Sequence, residues 1–355
     1  MIGAGPAGAA AAIALAPHCR VVLLERSAAA EDRIGETLPA SARPHLEALG
    51  LWEDFGKAAH APCRARRSVW GSPGAVEQEG SGSEGIGWRL DRTAFEAQLR
   101  GKLMAGGVTL MAPAGITCLN RSGDRWSIEL VGRGYERPLK LDAALVIDAG
   151  GRASRSLRPF GQTRLAEDRL VCAWVHAPLT GEPDDLLHIE SDPDGWWSTA
   201  PLPDGRRVIA FHTDSDLPAT GQLLEGGLVE RGRLSASLCD AIADADLARA
   251  TPVRFCAAHG ARLDSAAGEG WLAIGDAALC FDPLASHGLL NALHTALHGA
   301  QAAQRLIAGD HEAAADYEAE IARLWRSYRE ERDGFYRLEQ RWPDSPFWRR
   351  RAAAR

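Results

Sequence analysis

The opening of the chain restricts the fold more than any other stretch. Residues 2 to 25 read IGAGPAGAAAAIALAPHCRVVLLE, with Gly3, Gly5 and Gly8 spaced GxGxxG ahead of an alanine-rich run that stops near Pro17. A turn this tight needs backbone freedom that side chains forbid, and the third glycine lets the following helix pack closely. The spacing predicts a glycine turn, a helix and an apolar strand ending at Glu25, which is half of a βαβ unit. A helix N-terminus of this kind faces a diphosphate with unpaired N–H groups. A carboxylate about 20 residues on accepts hydrogen bonds from a ribose diol. Gly3, Gly5, Ala7, Gly8, Glu25 and the adjoining Arg26 are therefore the expected dinucleotide side of a site. The competing reading is a small-residue helix start in a chain rich in Ala and Gly.

At 355 residues the chain has room for a cofactor domain and a second domain covering a substrate. Pro39 to Phe55 carries Leu46, Leu49 and Trp52 at helical spacing. Asp91 caps a further helix whose Phe95, Leu99 and Leu103 share one stripe, ended by Gly106 and Gly107. Val108 to Val131 reads as short β-runs split at Ser122, Gly123 and Asp124, and Ala143 to Asp148 as a buried parallel strand. Arg169 to Phe211 then supplies β-runs joined by turns, as in an antiparallel sheet. Trp271 to Gly275 is another short strand, after which Leu289 to Ile307 and the residues to about Arg332 are helical. The chain leaves the nucleotide domain and comes back.

A formal charge of −7 gives no general attraction for polyanions, and the only dense basic run is Arg349, Arg350, Arg351 and Arg355, so no nucleic-acid partner is expected. No stretch approaches the roughly 20 apolar residues of a membrane helix, so no membrane is expected either. Seven cysteines, scattered and without a CxxC spacing, fit reduced thiols in the cytoplasm better than disulfides or zinc. His294 and His298 have the i, i+4 spacing of metal ligands, but no acidic third ligand accompanies them in sequence, and no metal is expected.

Two later motifs carry chemistry. Arg33-Ile34-Gly35-Glu36-Thr37-Leu38-Pro39 is a polar turn before a helix. The run from Gly270, GWLAIGDAALCFDPLASHGLLNAL, delivers Gly275-Asp276 from a strand and opens a helix at Gly288. An acid at a strand end binds polyol hydroxyls, and a helix N-terminus beside a redox-active ring stabilises negative charge on it.

Together GAGPAG, Glu25, the RIGET turn, DAGGRAS (Asp148 to Ser154) and the GDAALCFDPLASHGLLNAL run resemble the FAD monooxygenase superfamily that includes para-hydroxybenzoate hydroxylase and the tryptophan halogenases. The resemblance spans nearly the whole chain. It implies an α/β protein with a Rossmann-like FAD-binding domain of the glutathione-reductase type, built from residues 1–62, 88–165 and 254–308. An inserted antiparallel β-sheet substrate domain would take 63–87 and 166–253, and C-terminal helices and a tail 309–355. It also implies that Asp276 meets the ribityl chain and that Pro283, Gly288, Leu289 and Asn291 meet the isoalloxazine ring, with Arg33, Gly35, Glu36, Thr37 and Arg92 as further cofactor contacts. One departure stands out: only Met1 and Ile2 precede Gly3, so the strand leading into the turn is nearly absent. A truncated start or poor FAD binding would follow.

Within that superfamily the halogenases need a lysine on a loop that here reads Ala61-Pro62-Cys63-Arg64-Ala65-Arg66-Arg67-Ser68, without one. Their WxWxIP signature corresponds to Trp196-Trp197-Ser198-Thr199-Ala200-Pro201, where the first Trp and the Pro survive. The chain resembles more fully the flavoproteins that mature cysteine tryptophylquinone enzymes, in GETLPASARPHLEALGLWEDF, SVWGS, DGWWSTAPLPDGRRVIAFHTD and RWPDSPFWRRR. That implies oxygenation of a tryptophan in a partner protein through a flavin C4a-hydroperoxide, with electrons from NAD(P)H or a separate flavin reductase. His287, beside Gly288, is the candidate catalytic acid or base, against a structural loop histidine. Trp70, Trp174, Trp196 and Trp197 are candidates to line an aromatic substrate pocket, against ordinary sheet packing. A halogenase-like enzyme, a non-oxygenating reductase sharing the same FAD blocks and a flavin-bearing binding partner are the alternatives.

Overall fold

The computed structural model describes residues 1–28, 33–79, 87–132 and 137–353. Its first layer is a short-stranded, mainly parallel sheet, with Ala267–Gly268 added antiparallel to Trp271–Ala273. Val22–Leu24 pairs with Thr109–Met111, and Val146–Asp148 pairs with Trp271–Ala273, each in parallel register. Ile2 lies between these pairs, bridged in parallel to both Leu24 and Asp148. Its N–H donates to the Ile147 carbonyl at 2.9 Å, and its own carbonyl accepts from Ala149 at 2.7 Å. Met1 and Ile2 thus hold the central strand position that the sequence left nearly empty.

The helix Pro6–Leu15 packs on this sheet through Ala9, Ala10, Ala11 and Ala12, all buried, because only alanine-sized side chains permit so close an approach. Beside it run the helices Gly288–Ile307 and Glu312–Leu338, fixed in part by the Tyr317 hydroxyl donating to the Ala273 carbonyl at 2.8 Å. The helix Arg92–Ala105 begins as the sequence predicts, with the Asp91 carboxylate accepting from Ala94 N–H and Phe95, Leu99 and Leu103 buried.

The second layer is a seven-stranded sheet. Its order is Arg254–Ala257, Leu170–Pro178, Arg206–Asp214, Gly195–Pro201, Leu186–Asp192, Ala65–Val69 and Val76–Glu79. Every pairing is antiparallel except that of Leu186–Asp192 with Ala65–Val69, which is parallel and was not expected. One face packs toward Ile34, Leu284 and Tyr336, and the other toward the short helices of residues 218–241.

The stretch from Pro39 to Phe55 does not form one helix. It splits into a strand Thr37–Pro39, a turn of 3-10 helix and the helices Arg43–Ala48 and Trp52–Phe55. Pro39 and Pro44 limit where a helix can start, and Gly50 turns the chain at φ +63°. The basic run near the end is not a free cationic patch, since Arg350 and Arg351 pair with Asp214 and Asp216; Arg355 lies outside the described residues. All seven cysteines are free. No described helix is long and apolar enough to cross a membrane.

Candidate active site

The glycine turn has the geometry its spacing requires. Gly3 sits at φ +95°, where a Cβ would fall 2.4 Å from the Ala149 carbonyl oxygen; one on Gly8 would fall 1.9 Å from that of Gly3. Nothing lies within 4 Å of a Cβ placed on Gly5. The helix that follows has no side-chain cap and carries proline in its first turn, so no capping side chain takes up the N–H groups of Ala7 and Gly8. Glu25 accepts from Ala4 N–H at 2.8 Å and Ser27 N–H at 2.9 Å, which anchors its carboxylate beside this opening, while Arg26 is exposed.

A second uncapped helix start faces the same region. The helix Gly288–Ile307 has His287 at its N-cap without a capping side chain, and a Cβ on Gly288 would also meet nothing within 4 Å. The two starts are tied through Gly275, at φ +57°, where a Cβ would lie 2.6 Å from that of Ala7. The Gly275 N–H donates to the Thr295 hydroxyl at 2.8 Å. Asp276, next in sequence, is half-buried with Arg152 at 3.8 Å; burial raises its pKa, while Arg152, Arg164 and Arg92 oppose the shift. Asn291 donates to the Leu279 carbonyl at 3.1 Å, yet its buried Oδ1 has no partner among the described residues. Pro283 is exposed and Leu289 buried around the loop. His287 lies 3.8 Å from Glu331, and burial lowers its pKa despite that carboxylate.

The RIGET turn closes one side. Gly35, at φ +106°, donates to Glu36 Oε2 at 2.9 Å, and Arg92 holds the Gly35 carbonyl at 2.8 Å. Thr37 accepts from Arg89, whose other terminal nitrogen reaches Cys63 Sγ at 3.1 Å. Arg33 and Ile34 line a cleft of about 1120 Å³ together with Arg152, Ser154, Trp174 and Cys256.

Here lies a residue that sequence reasoning missed. His176, buried, has its Nε2 3.6 Å from Glu36 Oε1, and that oxygen accepts no hydrogen bond among the described residues. Arg206 donates to His176 Nδ1 at 2.8 Å. A guanidinium only donates, so a neutral His176 carries its proton on Nε2, facing Glu36. The two residues are 140 positions apart in sequence, and no local spacing could have signalled the pair.

Of the four candidate tryptophans, Trp70, Trp174 and Trp196 share one core cluster, with the rings of Trp70 and Trp196 6.5 Å apart, and Trp197 belongs to another. Trp196 and Trp197 are successive strand residues and point to opposite faces, so Trp197 packs with Phe211 in a separate core, away from the cleft. Trp196 stacks on His212 at 3.6 Å and donates to the Tyr336 hydroxyl at 3.1 Å; Trp70 donates to the Phe335 carbonyl at 2.9 Å. Trp174 alone of the four lines the cleft. The expectation that His294 and His298 have no acidic companion is also overturned. Glu320, on the following helix, places its Oε1 2.7 Å from His294 Nε2.

No known family profile matches the chain. LodB of Marinomonas mediterranea, an FAD-dependent oxidoreductase by name, is 30% identical over 99% of this chain and 96% of its own length. The chain belongs to this family of FAD-dependent oxidoreductases. Among solved structures, the flavin-dependent halogenase CmlS superposes with a TM-score of 0.84 at 24% identity, over 99% of this chain and 66% of its own. QhpG, a peptidyl tryptophan dihydroxylase essential for tryptophylquinone cofactor biogenesis, does so with a TM-score of 0.79 at 24% identity, over 99% of this chain and 77% of its own. These two likenesses establish the mixed α/β fold. The family's FAD is compatible with the residues here, since two uncapped helix starts, an open Gly5 and the unpartnered Asn291 Oδ1 offer what a flavin dinucleotide needs.

Proposed function

We propose that the chain is an FAD-dependent monooxygenase that hydroxylates an aromatic substrate, specifically a tryptophan residue of a partner protein during tryptophylquinone biogenesis. The observation that carries the reading is the convergence of two open helix starts, at Pro6 and Gly288, on the Gly275-Asp276 turn, below the inner face of an aromatic-bearing sheet. The tryptophan assignment draws in addition on the likeness to QhpG.

In this reading residues 1–62, 88–165 and 254–308 form a Rossmann-like FAD domain of the glutathione-reductase type, 63–87 and 166–253 the substrate domain, and 309–355 a helical closure. Gly3, Gly5, Ala7 and Gly8 receive the diphosphate, Glu25 a ribose and Asp276 the ribityl hydroxyls, with Arg26, Arg33 and Arg92 adding positive charge. When bound, FAD supplies the oxygen-activating chemistry. The open N–H groups at Gly288 and Leu289 stabilise negative charge at the ring edge, and Pro283 and Asn291 shape that edge. Gly35, Glu36 and Thr37 close the site from the other side. His287 exchanges a proton with solvent near the loop, and Trp174 supplies an apolar wall. Electrons come from NAD(P)H or a separate reductase, and the reduced thiols fit the cytoplasm.

The lysine-free loop from Ala61 to Ser68 favours hydroxylation over halogenation. The test is to load the protein with FAD, reduce it anaerobically, and admit oxygen in the presence of a tryptophan-bearing partner and chloride. A mass gain of about 16 or 32 on the partner's tryptophan supports the reading; chlorine incorporation, or flavin reoxidation that leaves the partner unchanged, rejects it.

A further inference from the structure

We propose that His294, His298 and Glu320 form a site for one divalent transition-metal ion, of zinc-like preference, which braces the helix Gly288–Ile307 against the helix Glu312–Leu338. One ligand atom from each of the three residues lies within 4.8 Å of the others. His294 and His298 are one helical turn apart with their rings stacked at 4.2 Å, and Glu320 Oε1 approaches His294 Nε2 at 2.7 Å. All three are partly buried, so solvent reaches the site while the helices hold its shape.

The surroundings are what distinguish this group from a chance cluster. A metal-bound imidazole nearly always has its second ring nitrogen oriented by a neighbour, and a ligating carboxylate is likewise held by hydrogen bonds. Both are in place. His45 Nε2, from the helix Arg43–Ala48, meets His294 Nδ1 at 3.1 Å, and Arg323 grips Glu320 through Nη2 at 2.6 Å and Nε at 2.8 Å. With metal on Nε2, the His294 ring proton sits on Nδ1 and is donated to His45. Two imidazoles and one carboxylate favour zinc, cobalt, nickel or copper over magnesium and calcium, which prefer all-oxygen sets. Three protein ligands leave a coordination position for water.

The experiment uses the full chain, expressed without a polyhistidine tag and stripped with EDTA, titrated with Co²⁺ and then with Zn²⁺. Visible d–d absorption saturating at one Co²⁺ per chain, lost on adding Zn²⁺, is the expected result. His298→Ala and Glu320→Gln should each weaken Co²⁺ binding at least 10-fold, and His45→Gln roughly 10- to 100-fold if it orients His294. His18→Ala, at an exposed position elsewhere, should leave it unchanged. Circular dichroism in EDTA checks that each variant is folded, and the wild-type titration stands without the variants. Absence of a Co²⁺ spectrum, or binding that survives both His298→Ala and Glu320→Gln, overturns the site.

Discussion

Glu25 uses both carboxylate oxygens on backbone N–H groups, at 2.8 and 2.9 Å, and so is fixed before any ribose arrives. Glu25→Gln sets an amide N–H₂ against one of those donors and removes the charge. FAD affinity should fall about 10-fold or more, the size of one charge-assisted hydrogen bond, as read by flavin fluorescence titration. Unchanged affinity would remove Glu25 from the cofactor site. Two buried groups bend the pH profile in opposite senses. Burial pushes His212 down to about 3, so between pH 6.5 and 3 the unfolded chain takes up a proton that the folded chain refuses, and stability falls as pH drops. Burial, with Asp168 adding to it, pushes Asp282 up to about 6, so between pH 3.8 and 6 the folded chain keeps a proton that the unfolded chain has lost, and stability falls as pH rises. His212→Phe should therefore flatten the acid-side loss, and Asp282→Asn should remove the opposing slope. Each effect amounts to about 3 kcal/mol between pH 4 and 6.5, measured as urea stability at fixed pH. The turn conformation at Gly3 and the close approach of Gly8 to it were legible in sequence because both lie within the GxGxxG spacing, whereas the contact of Gly3 with Ala149 was not. Nor was the pairing of His176 with Glu36, because only the docking of the sheet creates it.

Elements with local start and stop signals were read correctly, as were apolar runs such as those holding the strands Val146–Asp148 and Trp271–Ala273, whereas breaks and pairings imposed by distant partners were not. The helix Arg92–Ala105 carries its own cap and its own apolar stripe. The expected helix from Pro39 to Phe55 fails because Thr37–Pro39 is captured as a strand by Gly87–Arg89, a partner about 50 residues away. The parallel pairing of Ala65–Val69 with Leu186–Asp192 has no short-range signature at all. Close packing of elements yields a sharper prediction at Gly299, in the middle of the helix Gly288–Ile307. A Cβ there would lie 2.6 Å from Ile274 Cγ2, just beyond the strand Trp271–Ala273. Gly299→Ala should push the helix off the sheet and cost about 1–3 kcal/mol by overpacking. Combining it with Ile274→Ala should recover part of that loss, giving a coupled double-mutant cycle in denaturant titrations. Strictly additive losses would mean that the two do not touch.

At the scale of the whole molecule, the last described helix, Pro346–Ala353, acts as a clasp between the two layers. Phe347 and Trp348 are buried, and Arg351 lies 3.5 Å over the Phe347 ring while donating to the buried Asp214 at 2.8 Å. The same guanidinium sits 5.0 Å over Tyr336, whose hydroxyl donates to Asp282 at 2.8 Å, on the loop that leads to Gly288. A continuous chain of contacts thus runs from the rim of the seven-stranded sheet to the second open helix start. Arg351→Ala would leave Asp214 buried with Arg350, at 2.9 Å, as its one remaining charged partner among the described residues. Removing one member of a buried pair costs about 3–5 kcal/mol, and the surviving Arg350 contact should hold this case near the lower end. Loss of the clasp should also loosen Tyr336 and, through Asp282, the loop at residues 283–288. The variant should therefore show earlier urea unfolding, faster protease cleavage near residue 340 and weaker FAD binding together. Earlier unfolding with unchanged FAD affinity would show that the clasp holds the layers together without governing the loop.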